Sequence, residues 1–215
     1  MPNRRYETVV GAASLVLGPL LMSSGDIIHP KEKTDAGDQA AIIIEHASRW
    51  YAAHLLLFIG LLVLIPGILA LTSLMAERRP AVAYAARVLI LLGTAVFSAV
   101  FIAEMLIGRY VSDGADLSAA TELLETFQSG WVLGAVMAGV VAFMLGVAIL
   151  AIPLVVTSRE LRWPALGFAT GALLIFAEIV TAQVLLSQIG NIVILAAGAG
   201  FAWRIVQSDQ TAVRS

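Results

Sequence analysis

Six long apolar runs dominate this chain: residues 8–24, 52–75, 83–107, 131–156, 164–186 and 189–206, none holding more than two charged residues. A helix needs about 20 such residues to cross a hydrocarbon core of about 30 Å, because each adds about 1.5 Å. The runs are continuous rather than alternating, and backbone in lipid must satisfy its own hydrogen bonds, so helices are expected instead of strands. With 60% hydrophobic and 13% charged residues there is too little polar surface for a soluble globule. The expected fold is all-α: a single polytopic domain over residues 1–215 with six transmembrane helices and two longer extracytoplasmic loops. Arg4 and Arg5 before the first run resemble the start of a signal peptide, with Ser23, Ser24 and Gly25 as small residues after it. Five further runs follow, and an uncleaved first span is expected.

Cytoplasmic loops retain positive charge, so the arginines and lysines set the orientation. An inner N-terminus puts nine basic residues inside (Arg4, Arg5, Arg78, Arg79, Arg87, Arg159, Arg162, Arg204 and Arg214) against four outside (Lys31, Lys33, Arg49 and Arg109). The expectation is a multi-pass cell (inner) membrane protein with both termini cytoplasmic. The two long connections, residues 25–51 and 109–130, then lie outside. Residues 39–54 read as one helix running into the second span, and Leu117, Leu124 and Phe127 beside Glu122 and Glu125 suggest a short interfacial helix or a solvated acidic helix end.

Several chemistries drop out. The net charge of −2 with scattered basic residues gives no footprint for nucleic acid. The chain contains no cysteine, which removes disulfides, thiolate catalysis and cysteine metal sites. Neither a Gly-rich phosphate loop nor a nucleophile elbow is present. No internal repeat is apparent, which counts against a secondary transporter. Gly167 and Gly171 have the spacing of a helix-dimer motif, but packing inside the bundle is the expected use.

Ionisable groups in the hydrocarbon are costly, by about 2.5 to 3.5 kcal/mol on insertion scales, and therefore invite functional hypotheses. Glu104 and Glu178 fall late in outward-running spans. His29, His46 and His54 lie near the same outer side, as do Asp26, Gln183, Gln188 and Asn191. These positions could converge on one outer-half cavity. The candidate catalytic residues are Glu178 as acid, with Glu104 or His54 as base. The candidate substrate pocket comprises Asp26, His46, Trp50, Tyr51, Trp131, Gln183 and Asn191. Structural alternatives stand beside each: Glu104 pairing with Arg109, Glu178 bonding a neighbouring helix, Gln183 and Asn191 as helix glue, and Trp50 and Tyr51 as an interfacial belt. His46, Trp50 and His54 step by four along the expected helix, a pocket wall or a ligand stripe. Zinc held by His29, His46 and His54 is disfavoured, because His46 and His54 would stand about 12 Å apart on a straight helix and no HExxH motif occurs. Neither metal nor cofactor is expected, with haem ligation by one histidine as the alternative.

The residues Gly25-Asp26-Ile27-Ile28-His29-Pro30, Glu45-His46, Arg49-Trp50 and Ala53-His54 give the chain a resemblance to six-span actinobacterial membrane proteins of no assigned activity. In size and hydrophobicity it is similar to small bacterial membrane-bound terpene cyclases. The resemblance implies the six-span architecture and, from the cyclases, an isoprenoid substrate. An intramembrane acid–base enzyme acting on a lipid or isoprenoid is the preferred expectation, with the bilayer and a lipophilic small molecule as partners and the oligomeric state open. The alternatives are a small-solute or proton-coupled transporter and a non-catalytic membrane partner or sensor.

Overall fold

The computed structural model describes residues 3–214 apart from 32, 34, 78, 115, 128 and 182, with the side chains of 3–5, 180 and 208–214 outside that description. Arg78 and the side chains of Arg4, Arg5 and Arg214, counted above as cytoplasmic, therefore fall outside it. The described residues form eight helices: α1 Asn3–Ile28, α2 Ala36–Glu45, α3 Ala47–Ala76, α4 Pro80–Ser112, α5 Leu117–Phe127, α6 Gly130–Thr157, α7 Arg162–Thr181 and α8 Val184–Arg214. Five include stretches long and apolar enough to cross a membrane: Tyr6–Ile28, Ala47–Ala76, Pro80–Ser112, Gly130–Thr157 and Val184–Gln207. α7 is shorter, opens on Arg162-Trp163-Pro164 and carries Glu178, which dilutes its apolar character.

The long helices close a ring. α1 packs on α3, α3 on α4, α4 on α6, α6 on α7 and α7 on α8, and α8 returns to α1. One apolar core joins all six, including Leu15, Ile68, Ile90, Leu150, Phe168 and Phe201. Glycine governs the crossing of α1 and α3. Gly11, Gly18 and Gly25 on α1 and Gly60 and Gly67 on α3 recur every seven residues, which keeps them on one helix face. A Cβ on Gly18 would stand 2.9 Å from the Gly60 carbonyl oxygen, and one on Gly60 would stand 2.8 Å from that of Gly18. The ring closes through a similar device. Pro19 has no N–H to offer the Leu15 carbonyl one turn earlier, and that carbonyl oxygen instead faces Gly198 of α8, where a Cβ would collide with it. Gly171 of α7 likewise seats against Gly190 and Ile194 of α8, so the Gly167/Gly171 spacing serves packing within the bundle.

α2 and α5 lie outside the ring, packed on each other and on one end of it. Ala36, Ala40 and Ile43 of α2 and Ala120 and Leu124 of α5 form a second apolar cluster with Trp50, Ile107 and Val111. Two expectations need correction here. Residues 39–54 do not form one helix: His46, at φ −122 and ψ 28, ends α2 and starts α3. Its N–H donates to Ile42 O at 2.9 Å while its carbonyl accepts from Trp50 N at 2.8 Å, so both helices are capped through one residue and α2 folds away. The fifth run stops at Thr181 instead of reaching residue 186, and α8 begins at Val184, with Leu186 N donating to Gln183 O at 2.8 Å.

Candidate functional site

One group of polar contacts lies where α1 and α4 end and α3 and α8 begin, at the end of the ring that α2 and α5 also join. Arg49 fixes the end of α1. Its guanidinium donates to the carbonyls of Ile28 and His29, two of the acceptors a helix C-terminus leaves without intrahelical partners. The chain then turns through His29, whose ring reaches the first turns of α3.

His54 is 3% exposed. Its Nδ1 lies 2.8 Å from the Trp50 carbonyl oxygen, and Nδ1 of His29 lies 2.7 Å from the Pro30 carbonyl oxygen. A carbonyl only accepts, so each Nδ1 must carry its proton. In the neutral rings both Nε2 atoms are then lone-pair acceptors, and these two atoms face each other at 3.4 Å. Trp50 completes the cluster, its ring centroid 4.8 Å from His29 and 4.5 Å from His54. Its indole N–H donates to Glu104 O at 3.0 Å, and a Cβ on Gly108 would stand 2.8 Å from the indole, so α4 supplies both acceptor and space.

A second polar contact links α1 to α8. Asn191, 3% exposed, donates from Nδ2 to Asp26 Oδ2 at 3.0 Å, while its own Oδ1 is buried with no hydrogen-bond partner among the described residues. Asp26 lies in the last turn of α1 and His29 directly follows that helix, so the end of α1 carries both contacts.

Below the histidines the character changes. His54 meets Phe101 at a centroid distance of 6.1 Å, Phe101 stacks on Phe97 at 6.5 Å, and Phe97 meets Phe143 at 5.8 Å. These three line an apolar central cavity of about 80 Å³ with Phe168 and Phe176, and with Met22 and Met144. Glu104 stands one turn beyond Phe101, and Glu178 stands between Phe176 and Ile179, both cavity-lining residues. Both carboxylate side chains are half-buried.

Of the residues singled out from sequence, His54, Trp50, Asp26 and Asn191 thus reach the bundle interior, and Glu104 joins the Trp50 contact through its backbone. The others are not brought to this cluster. His46 is partly exposed, 3.8 Å from the exposed Glu45 carboxylate. Tyr51 faces an outer groove between α3 and α4, Trp131 is 83% exposed at the start of α6, and Gln183 is exposed in the α7–α8 turn. Tyr51, Trp131 and Gln183 therefore stand apart from the histidine cluster. Sequence reading placed His29 near the expected cavity without a catalytic or pocket role, and did not assign Arg49 to the site. A signal existed for His29: Asp26 and His29, three apart at the end of an apolar run, share a face. Among the described residues no group of three or more His, Asp or Glu side chains is placed to hold one metal ion. Comparison with protein families, curated proteins and solved structures finds nothing that matches this chain.

Proposed function

We propose that this chain is a six-span membrane enzyme, with α7 as the sixth span and both termini cytoplasmic, performing acid–base chemistry on a lipid or isoprenoid at the outer end of its bundle. The observation that carries this reading is the polar cluster directly above an aromatic, apolar cavity. An amphiphile would set its head among Asp26, His54 and Asn191 and its tail among the phenylalanines. Glu178, beside the cavity-lining Phe176 and Ile179, is the proposed acid. Glu104 is the proposed base. The faces of Phe97, Phe101 and Phe143 would steady positive charge developing on the tail. Pockets for drug-sized ligands span about 300–1,000 Å³, so a tail must part the side chains around the present cavity, and the unbranched Met22 and Met144 suit that movement.

The test is purification with native lipids, identification of bound small molecules by mass spectrometry, and assay of isoprenoid and lipid turnover with Glu178→Gln beside the wild type. The reading requires a bound amphiphile and turnover reduced by about 10²-fold or more in the variant. Turnover unaffected by the substitution removes the proposed acid.

A further inference from the structure

We propose that the outer groove between α3 and α4 binds one phospholipid with a zwitterionic amine head, of the phosphatidylethanolamine kind. This inference depends neither on the isoprenoid reading nor on which end of the bundle faces outward, since it rests on the walls and rim of that groove alone.

The groove has a volume of about 610 Å³, within the range of sites that hold small organic ligands. Its wall on α4 is graded. Ile102, Leu106 and Arg109 follow one another on one helix face, and Ser112 carries the groove to the helix end. From Ile102 to Ser112 the helix rises about 15 Å, enough to pass from hydrocarbon through a headgroup layer of about 5–8 Å. On α3, Ser48 and Tyr51 meet the same groove from the first turns of the helix, and tyrosine favours headgroup depth. An acyl chain would lie along Ile102 and Leu106, both exposed, with the glycerol beside Tyr51.

The rim carries both signs of charge. Arg109 Nε contacts Asp113 Oδ2 at 3.0 Å, with both side chains more than half exposed. That contact uses one of the five N–H donors of the guanidinium, and the two terminal nitrogens suit the bidentate bond that a phosphate accepts. Asp113 then stands beside the phosphate and takes the ammonium of the same head. The helix ends agree with this division. Ala47 and Ser48 open α3, whose N-cap residue His46 makes no side-chain bond, so the positive end of that helix borders the groove. Asp113 is the C-cap of α4, where the carbonyl end of a helix favours a cation. A phosphate without an amine would bring a like charge to Asp113, and a head without phosphate would leave Arg109 with Asp113 alone.

The experiment uses the full chain, delipidated in detergent, titrated with dioleoyl phosphatidylethanolamine, dioleoyl phosphatidylglycerol or dioleoylglycerol and read by native mass spectrometry. We expect one phosphatidylethanolamine per chain, held about fivefold or more tighter than either of the others, the order of effect that one basic residue has at a lipid headgroup. Arg109→Gln should weaken that binding about fivefold, and Asp113→Asn should erase the preference over phosphatidylglycerol. Arg162→Gln, at the opposite end of the bundle, should match the wild type. Equal retention of the three lipids, a preference for phosphatidylglycerol, or unchanged binding in both site variants would overturn the proposal. If the variants do not fold, the wild type decides. Phosphatidylethanolamine with a photoreactive acyl chain should crosslink to α3 and α4 around Tyr51 and Leu106, whereas crosslinks spread evenly over the ring of helices would mark an ordinary lipid annulus and contradict it.

Discussion

Trp50 joins more of the contacts at this end of the bundle than its neighbours do, because it meets His29, His54 and the α4 backbone at once. Trp50→Phe keeps an aromatic ring but loses the indole donor to Glu104 O, which should cost about 0.5–1.5 kcal/mol in addition to the lost ring volume. Thermal unfolding in detergent reads this directly, and the variant should also loosen the His29–His54 pair. Gly108→Val should be worse, since a side chain there enters the space of the indole. Sequence reading reached Trp50 and His54 because they lie four apart near a span start. It could not separate Trp50 from Tyr51, since depth along a helix says nothing about which way a side chain points. One residue is a turn of about 100° around the axis, enough to put Trp50 inside and Tyr51 in the outer groove. Trp131 illustrates the same limit.

Helix crossings in this bundle are set by where a Cβ is missing, and the glycines sort into two kinds. Gly198 faces the Leu15 carbonyl that Pro19 releases, whereas Gly134 on α6 has open space where its side chain would be. Gly198→Ala should therefore destabilise by about 1–3 kcal/mol, as overpacking does. Gly134→Ala should be neutral or stabilise by up to about 1 kcal/mol through helix propensity. Melting temperatures of the pair in one detergent would check both, and equal responses would contradict the packing account. The seven-residue recurrence of Gly11, Gly18 and Gly25 with Gly60 and Gly67 was readable in the sequence, though only the pairing of α1 with α3 gives it meaning. The helix over residues 117–127 was anticipated from its apolar face, and α5 occupies that span. The break at His46 was not, because nothing in the local pattern of residues 39–54 disfavours a continuous helix; the contact of α2 with α5 supplies a reason for α2 to turn aside.

The whole molecule is a ring of long helices with the histidine and Asp26–Asn191 contacts at one end and most of its arginines at the other. Apolar runs announced those helices plainly, because a continuous 20-residue hydrophobic stretch has few other uses. The site was less legible, since it depends on α1 and α8 meeting, a contact between opposite ends of the chain that no local spacing encodes. Which end faces outward rests on the distribution of basic residues, and the proposed chemistry requires the polar end, with its α2/α5 cap, on the extracytoplasmic side. The natural absence of cysteine makes this directly measurable. Single cysteines are introduced as Asp35→Cys at the α2 N-cap, Ser118→Cys in α5 and Ser208→Cys near the C-terminus, and intact cells are treated with a membrane-impermeant thiol reagent. The account predicts labelling at 35 and 118, with 208 reacting only after the cells are opened. Labelling of 208 in intact cells, with 35 and 118 protected, would contradict it.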